Sequence, residues 1–164
     1  MPANNDFPIL DGIAPSWADI IVKATPYEGA LLEMKDIAAI NSASSVEVGE
    51  QRGGGRVMRR TTGDLSDEAS WTLYRTGYQA LIRNLASVAP TRGAQKLISL
   101  VHFDIQVQHT PPGSVEIYEY HIRGCRITGR TLNGAEGTDA DQVEVPLSAL
   151  QIVDIVDGEE VVLL

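Results

Sequence analysis

Apolar and polar residues alternate with a period of two along much of this chain. Val101, Phe103, Ile105 and Val107 alternate with His102, Asp104, Gln106 and Gln108, as a strand with one buried face requires. Val46 and Val48 against Glu47 and Gly49, and later Val143, Val145 and Leu147, repeat the pattern. Residues 18–24 predict the first strand. Residues 69–75, with Trp71, Thr72, Leu73 and Tyr74, predict another rich in β-favouring side chains. A long strand over 115–127 runs antiparallel to 101–108. Its parity slips: Val115 and Ile117 share one face, Tyr118, Tyr120 and Ile122 the other. A bulge near Ile117, or burial on both faces, accounts for the slip. Pro146 sets the 143–147 strand at a sheet edge or ends its pairing. Two segments, 152–156 and 160–164, flank Asp157-Gly158, a strong two-residue hairpin signal. Residues 31–40 fit helix or strand equally, because a short apolar run does not separate the two.

One stretch has helical spacing instead. Tyr78, Leu81, Ile82, Leu85 and Ala89 form a single apolar stripe. Thr76 and Gln79 have the spacing of a capping box, and Pro90 ends the segment. The helix is expected over about 77–89, with Tyr78, Leu81, Ile82 and Leu85 as its core face. Polar loops are expected at 63–68 and 129–141, and a turn at Pro111-Pro112-Gly113-Ser114. The prolines and glycine of residues 1–15 suggest an extended arm ahead of a single domain, 16–164. The predicted fold is mainly β: a β-sandwich or small barrel of roughly 7–8 strands, with one flanking helix and a long protruding hairpin over about 44–62.

That hairpin carries the most distinctive chemistry. The run Gly49-Glu50-Gln51-Arg52-Gly53-Gly54-Gly55-Arg56-Val57-Met58-Arg59-Arg60-Thr61-Thr62-Gly63 sets Arg52, Arg56, Arg59 and Arg60 around Gly53, Gly54 and Gly55. The whole 164-residue chain has a net charge of −9, so much of its positive charge sits on one arm. Glycines give the tip backbone freedom, and arginines give bidentate reach to carboxylates. The nearest acidic surface is another copy of the chain. The same acidic balance argues against a surface that grips nucleic acid, which runs on Lys and Arg.

Other chemistry is thin. Cys125 is the sole cysteine, which excludes an internal disulfide. His121 and Cys125 share parity, and a metal site can be drawn with His102 across from them. They read better as polar-face residues than as a metal site, because no further ligand stands at a recognised spacing. Gly53-Gly54-Gly55-Arg56 lacks the Lys-Ser/Thr ending and following helix of a phosphate loop. No Gly-x-Ser-x-Gly elbow occurs. Asp104 falls on the polar parity of its strand, as a solvent, lumen or interface residue. No catalytic residue, cofactor or metal is expected. Residues 1–6 have no basic region with an apolar run behind it, so no signal peptide is expected. No segment has the apolar length needed to span a bilayer.

The run Ser45-Val46-Glu47-Val48-Gly49-Glu50-Gln51-Arg52-Gly53-Gly54-Gly55-Arg56, then Arg60-Thr61-Thr62-Gly63 and Glu68-Ala69-Ser70-Trp71-Thr72-Leu73-Tyr74-Arg75, resembles bacteriophage tail tube proteins. So do Ile122-Arg123-Gly124-Cys125-Arg126-Ile127, Glu136-Gly137-Thr138-Asp139-Ala140-Asp141 and Val143-Glu144-Val145-Pro146-Leu147. The likeness runs from about residue 18 to the end. It implies a subunit with a flanking helix, six of which form a ring. Rings stack into a hollow tube that conducts DNA without binding it specifically, and the inner sheets join edge to edge. The tubes of contractile injection particles and of type VI secretion are similar in fold. It further implies a place in the virion tail, assembly in the bacterial host cytoplasm, and sheath, baseplate and tail terminator proteins as partners. On this reading Arg52, Gly53, Gly54, Gly55, Arg56, Arg59 and Arg60 contact neighbouring subunits. The alternative is a non-stacking hexameric ring, such as a tail terminator, an adaptor or a secreted tube-like protein. An enzyme is a distant third.

Overall fold

Main-chain pairing in the computed structural model, which describes residues 20–110, 117–134 and 141–163, is antiparallel throughout. The elements in chain order are β1 (Ile20–Pro26), β2 (Leu32–Met34), β3 (Ile37–Gly53), β4 (Arg56–Tyr74), α1 (Arg75–Ala86), β5 (Thr91–Arg92), β6 (Gln95–Lys96), a 3-10 turn (Ile98–Leu100), β7 (Phe103–His109), β8 (Tyr118–Ile127), β9 (Thr131–Asn133), β10 (Gln142–Ser148), β11 (Gln151–Val156) and β12 (Glu159–Val161). Ten strands form one sheet along the path β2-β1-β7-β8-β10-β4-β3. The β11–β12 pair branches from β8, and β9 branches from β10. The mainly β class with one helix is as the sequence predicts. The path does not close into a barrel, because β2 and β3 stand at its two ends.

β8 and β10 meet through only two register pairs, Leu147 with Ile127 and Ser148 with Arg126. The halves on either side of this join share one core. Val22, Ile105, Val107 and Ile122 come from one half, and Trp71, Leu73, Val143 and Val145 from the other. α1 adds Tyr78, Leu81 and Leu85, all buried, and Ile82 packs half-buried against the same cluster. The predicted apolar stripe of the helix therefore faces the core.

The helix ends differ from the prediction. α1 starts at Arg75, its N-cap is Tyr74, and no side chain caps it. Thr76 Oγ1 donates to Asp36 Oδ2 at 2.9 Å instead of closing a capping box with Gln79. The Tyr74 and Arg75 amides donate to the backbone carbonyls of Asp36 and Asp141, so tertiary partners satisfy the first turn. The helix stops at Ala86, where Ser87 Oγ donates to the Asn84 carbonyl at 2.6 Å.

Five further expectations change. Within the loop expected at 129–141, Thr131–Asn133 forms β9 against β10. Residues 63–68 are not a loop but part of the unbroken strand β4. Residues 31–40 resolve into β2, a turn at Lys35 and Asp36, and the start of β3. Of the two readings of Pro146 the edge strand fails, since β10 pairs with β4 on one side and with β9, then β8, on the other, while an end to pairing holds on that second side. Pro146 lies where the partner changes, opposite the gap between Ile127 and Thr131. Its carbonyl accepts from Thr128 N at 3.1 Å and Thr128 Oγ1 at 3.2 Å. A missing N–H costs no ladder bond there. Finally, the β7–β8 register shifts between Phe103, opposite Cys125, and Ile105, opposite Ile122. That bulge carries Gly124 at φ 65°. The bulge expected near Ile117, the turn at 111–114 and the arm at 1–15 fall wholly or partly outside the described residues. The Asp157-Gly158 hairpin forms as predicted, with φ of 52° and 81° at its two turn residues.

Candidate functional site

β3 and β4 make one hairpin far longer than the body it grows from. β10 accompanies β4 only as far as Glu68, opposite Ser148. Past that pair no third strand accompanies β3 and β4 among the described residues, so the projecting portion runs from Ser44, opposite Asp67, to the tip, tied to the body at its base by Asp67. Gly54 and Gly55 have φ of 59° and 78°, the left-handed pair that a tight two-residue turn needs. Gly53 faces Arg56 across the turn. Side chains at either turn glycine would enter open space. Gly54 and Gly55 therefore serve the turn and keep the tip narrow without excluding a clash, whereas a Cβ at Gly53 would lie 2.5 Å from Met58 Sδ.

The four arginines separate into two kinds. Arg52 Nη2 lies 3.0 Å from Glu50 Oε2, two residues away on the same strand. Its charge is thus partly answered within the chain. Arg56, Arg59 and Arg60 are exposed, and none has an ion pair among the described residues. Arg60 stands opposite Glu50 and Arg59 opposite Gln51 in register. A register shift between Gln51 and Arg52 leaves Met58 as the extra residue, 71% exposed. A second shift at Val46 and Val48 falls beside Gly63, whose Cβ would lie 2.7 Å from Glu47 Cβ. Bulges of this kind add twist to a two-stranded ribbon.

Past the second bulge the charge changes sign. Asp64, Asp67 and Glu68 follow with no Lys or Arg between residues 63 and 70. Asp64 and Glu68 are exposed. Asp67 Oδ2 accepts from Ile152 N at 3.1 Å, while Oδ1 is buried without a hydrogen-bond partner among the described residues. Beside this stem, on the face of β3, β4 and β10 turned away from the core, an open groove of about 580 Å3 is lined by small side chains, among them Ser66, Ala43, Ser70 and Ser148, with Glu68 alongside. Reading 63–68 as a loop hid this acidic stem. The parity that buries Ala69, Trp71 and Leu73 reaches back through Asp67 to Leu65, and that was the available signal.

Two further polar features lie on the body. On the outer side of β7 and β8, Glu119 collects Gln106 Nε2 at 2.7 Å, Gln108 Nε2 at 3.1 Å and His121 Nε2 at 2.5 Å. Desolvation alone would raise the Glu119 carboxyl. Those hydrogen bonds and the nearby His121 outweigh it and hold the group below its ordinary range. Arg123 of β8 and Glu160 of β12 form an ion pair that ties the C-terminal hairpin to the sheet.

The parity expected for His121 and Cys125 fails at the bulge. Cys125 turns into the core, fully buried, its Sγ donating to the Ile122 carbonyl at 3.4 Å. Burial first, and then the charge of Asp104, pushes its thiol up to about 12. Asp104 Oδ1 accepts the Gly124 amide at 2.9 Å and so serves the bulge. His102 stacks on Tyr27 with ring centroids 5.9 Å apart. Among the described residues no three His, Cys, Asp or Glu side chains converge to hold a metal ion, and no helix is long and apolar enough to cross a membrane.

At the level of sequence, no family profile and no curated protein matches the chain. Structural similarity is extensive. A chain of the sheath-tube complex of the extracellular contractile injection system PVC, in the extended state, is 15% identical with a TM-score of 0.61, over 98% of this chain and 100% of that one. A chain of the PVC sheath/tube terminator is 14% identical with a TM-score of 0.64, over 89% of this chain and 99% of that one. The SPP1 tail tube protein is 14% identical with a TM-score of 0.61, over 86% and 78%. These identities speak to architecture alone, and the architecture of this chain is the tail tube fold.

Proposed function

We propose that this chain is the structural subunit of a phage tail tube: six copies close a ring, and rings stack into a hollow tube that conducts DNA during infection. The observation that carries the reading is the projecting hairpin, whose tip presents Arg56, Arg59 and Arg60 without an ion pair among the described residues. Among the described residues no strand pairs with the outer edge of β3, and an exposed edge of that length invites pairing with another chain. A rotation that divides a full turn closes such head-to-tail contacts into a ring. The fold shared with sheath-tube and tail tube chains supports the same assembly. The net charge of −9 suits a channel that must not hold the duplex, since like charge denies DNA the counterion-release gain that drives adhesion. Sheath, baseplate and terminator proteins are the natural partners, and the virion tail the natural location, after assembly in the host cytoplasm. The role is structural, not enzymatic.

The similarity to a tube terminator chain favours one second reading, a hexameric ring that does not stack. Sedimentation at rising protein concentration separates the two. Stacking gives an open-ended series of species, and a lone ring saturates. Negative-stain micrographs of the purified protein should show tubes on the first reading and isolated rings on the second.

A further inference from the structure

Charge along the β3–β4 hairpin is segregated rather than mixed. Arg52, Arg56, Arg59 and Arg60 cluster toward the tip, with Glu50 the sole acid between residues 49 and 62. Asp64, Asp67 and Glu68 cluster at the stem, with no cation among them. Within one copy, and among the described residues, Arg56, Arg59 and Arg60 form no ion pair with Asp64, Asp67 or Glu68. They can meet between copies placed end to end.

We infer that the stem groove beside Glu68 is the receptor for the arginine tip of a second copy, and that this contact joins one ring to the next. The inference rests on the tube reading and names the partner surface of its hairpin. Three observations converge on it. The groove is about 580 Å3, and its small side chains, Ala43, Ser66, Ser70 and Ser148, leave room for an inserted backbone. The tip is narrow because Gly53, Gly54 and Gly55 have no side chains. Exposed carboxylates at Asp64 and Glu68 face solvent without an ion pair among the described residues, and they match the three unanswered guanidinium groups in charge and in fork geometry.

Reach fits as well. Gly54 of the turn lies nine residue steps beyond Ser45, roughly 30 Å at about 3.3 Å per residue. A copy displaced by about that length along the hairpin axis offers its stem to the tip of the first. The contact is head-to-tail and a displacement never closes on itself, so it repeats as an open stack. Pairs formed in the groove lose part of their water and gain over exposed pairs.

Charge reversal tests the match. Arg56→Glu, Arg59→Glu and Arg60→Glu together reverse the tip, and Asp64→Lys with Glu68→Lys reverses the stem while sparing Asp67, which holds Ile152 N. Each set alone should raise the protein concentration needed for stacking at least tenfold, measured by sedimentation and negative-stain microscopy, with circular dichroism unchanged. All five substitutions in one chain should restore stacking, because reversed tip then meets reversed stem. The milder Asp64→Asn with Glu68→Gln should fall between wild type and the reversed stem, and it serves if the lysine variant does not fold. Either single set stacking at the wild-type concentration overturns the inference, and so does a five-fold variant that folds and forms rings but does not stack. A wild-type chain that stays monomeric overturns the tube reading, and this contact with it.

Discussion

Trp71 of β4 and Phe103 of β7 meet across the core with ring centroids 6.1 Å apart and planes tilted by 39°. Both side chains are fully buried. They belong to the two halves of the sheet that, among the described residues, strand pairing joins only at the short β8–β10 contact. Side-chain packing therefore holds the halves together where backbone pairing is sparse. Phe103→Ala should cost about 3–5 kcal/mol, read as a shift in the urea midpoint. Trp71 fluorescence should redden in the variant before global unfolding. A loss under about 1 kcal/mol would show that the halves are held by something else.

The bulge that redirects β8 depends on a single glycine. Gly124 has φ 65°, where a Cβ is disfavoured, and a Cβ there would lie 2.5 Å from Leu150 Cδ1. Its amide also donates to Asp104 Oδ1. Gly124→Ala should destabilise by about 2–3 kcal/mol, combining backbone strain with the displacement of Leu150. Gly54→Ala also sits at positive φ but meets open space; it should cost about 1 kcal/mol, the strain alone. Thermal unfolding of the pair measures the difference that neighbour contact makes.

Much of this was legible in residue order, and the failures share one cause. The alternation of Phe103, Ile105 and Val107, the stripe of Tyr78, Leu81 and Leu85, and the Asp157-Gly158 turn each express a local period, and each forms as expected. Where the sequence misled, tertiary contacts had replaced a local rule. Thr76 left its capping role for Asp36 across the fold. Pro146 stands in the interior of the sheet because a gap between β8 and β9 removes its need for a donor. Cys125 changed face because one bulge upstream reset the parity. At the candidate site the arginine run stood out as a charge anomaly. The acidic stem did not, because Gly63 and Asp64 look like a loop unless Leu65, Asp67, Ala69 and Trp71 are seen as one continuous face.

Glu119 makes the protein acid-sensitive in a defined direction. Its carboxyl is held below the ordinary value of 4.5 in the folded state. A lowered carboxyl contributes stability that is fully present above the unfolded value and lost as pH falls through the folded one. Stability should therefore decline below about pH 4.5 more steeply in wild type than in Glu119→Gln. At pH 7 the variant should be the less stable of the two, because it forfeits the charge-assisted bonds from Gln106, Gln108 and His121. Urea titrations at a series of pH values would give both curves. Parallel curves would mean the network contributes nothing to acid stability.

Assembly through the hairpin tip should be salt-dependent in a way that identifies its charges. Screening shortens from about 10 Å at 0.1 M salt to about 3 Å at 1 M, which weakens contacts between exposed arginines and carboxylates. Wild-type stacks, sedimented at a fixed protein concentration, should shorten as salt rises over that range. Rings should survive, because strand edges associate by backbone hydrogen bonds and apolar burial, which salt leaves intact or strengthens. Arg59→Glu with Arg60→Glu should remain unstacked at both salt levels, and its ring fraction should match wild type. Arg52→Ala should behave much like wild type, since Glu50 already answers part of that charge at 3.0 Å. If Arg52→Ala abolished stacking while the Arg59 and Arg60 pair did not, the contact would run through the Arg52–Glu50 pair and not through Arg59 and Arg60.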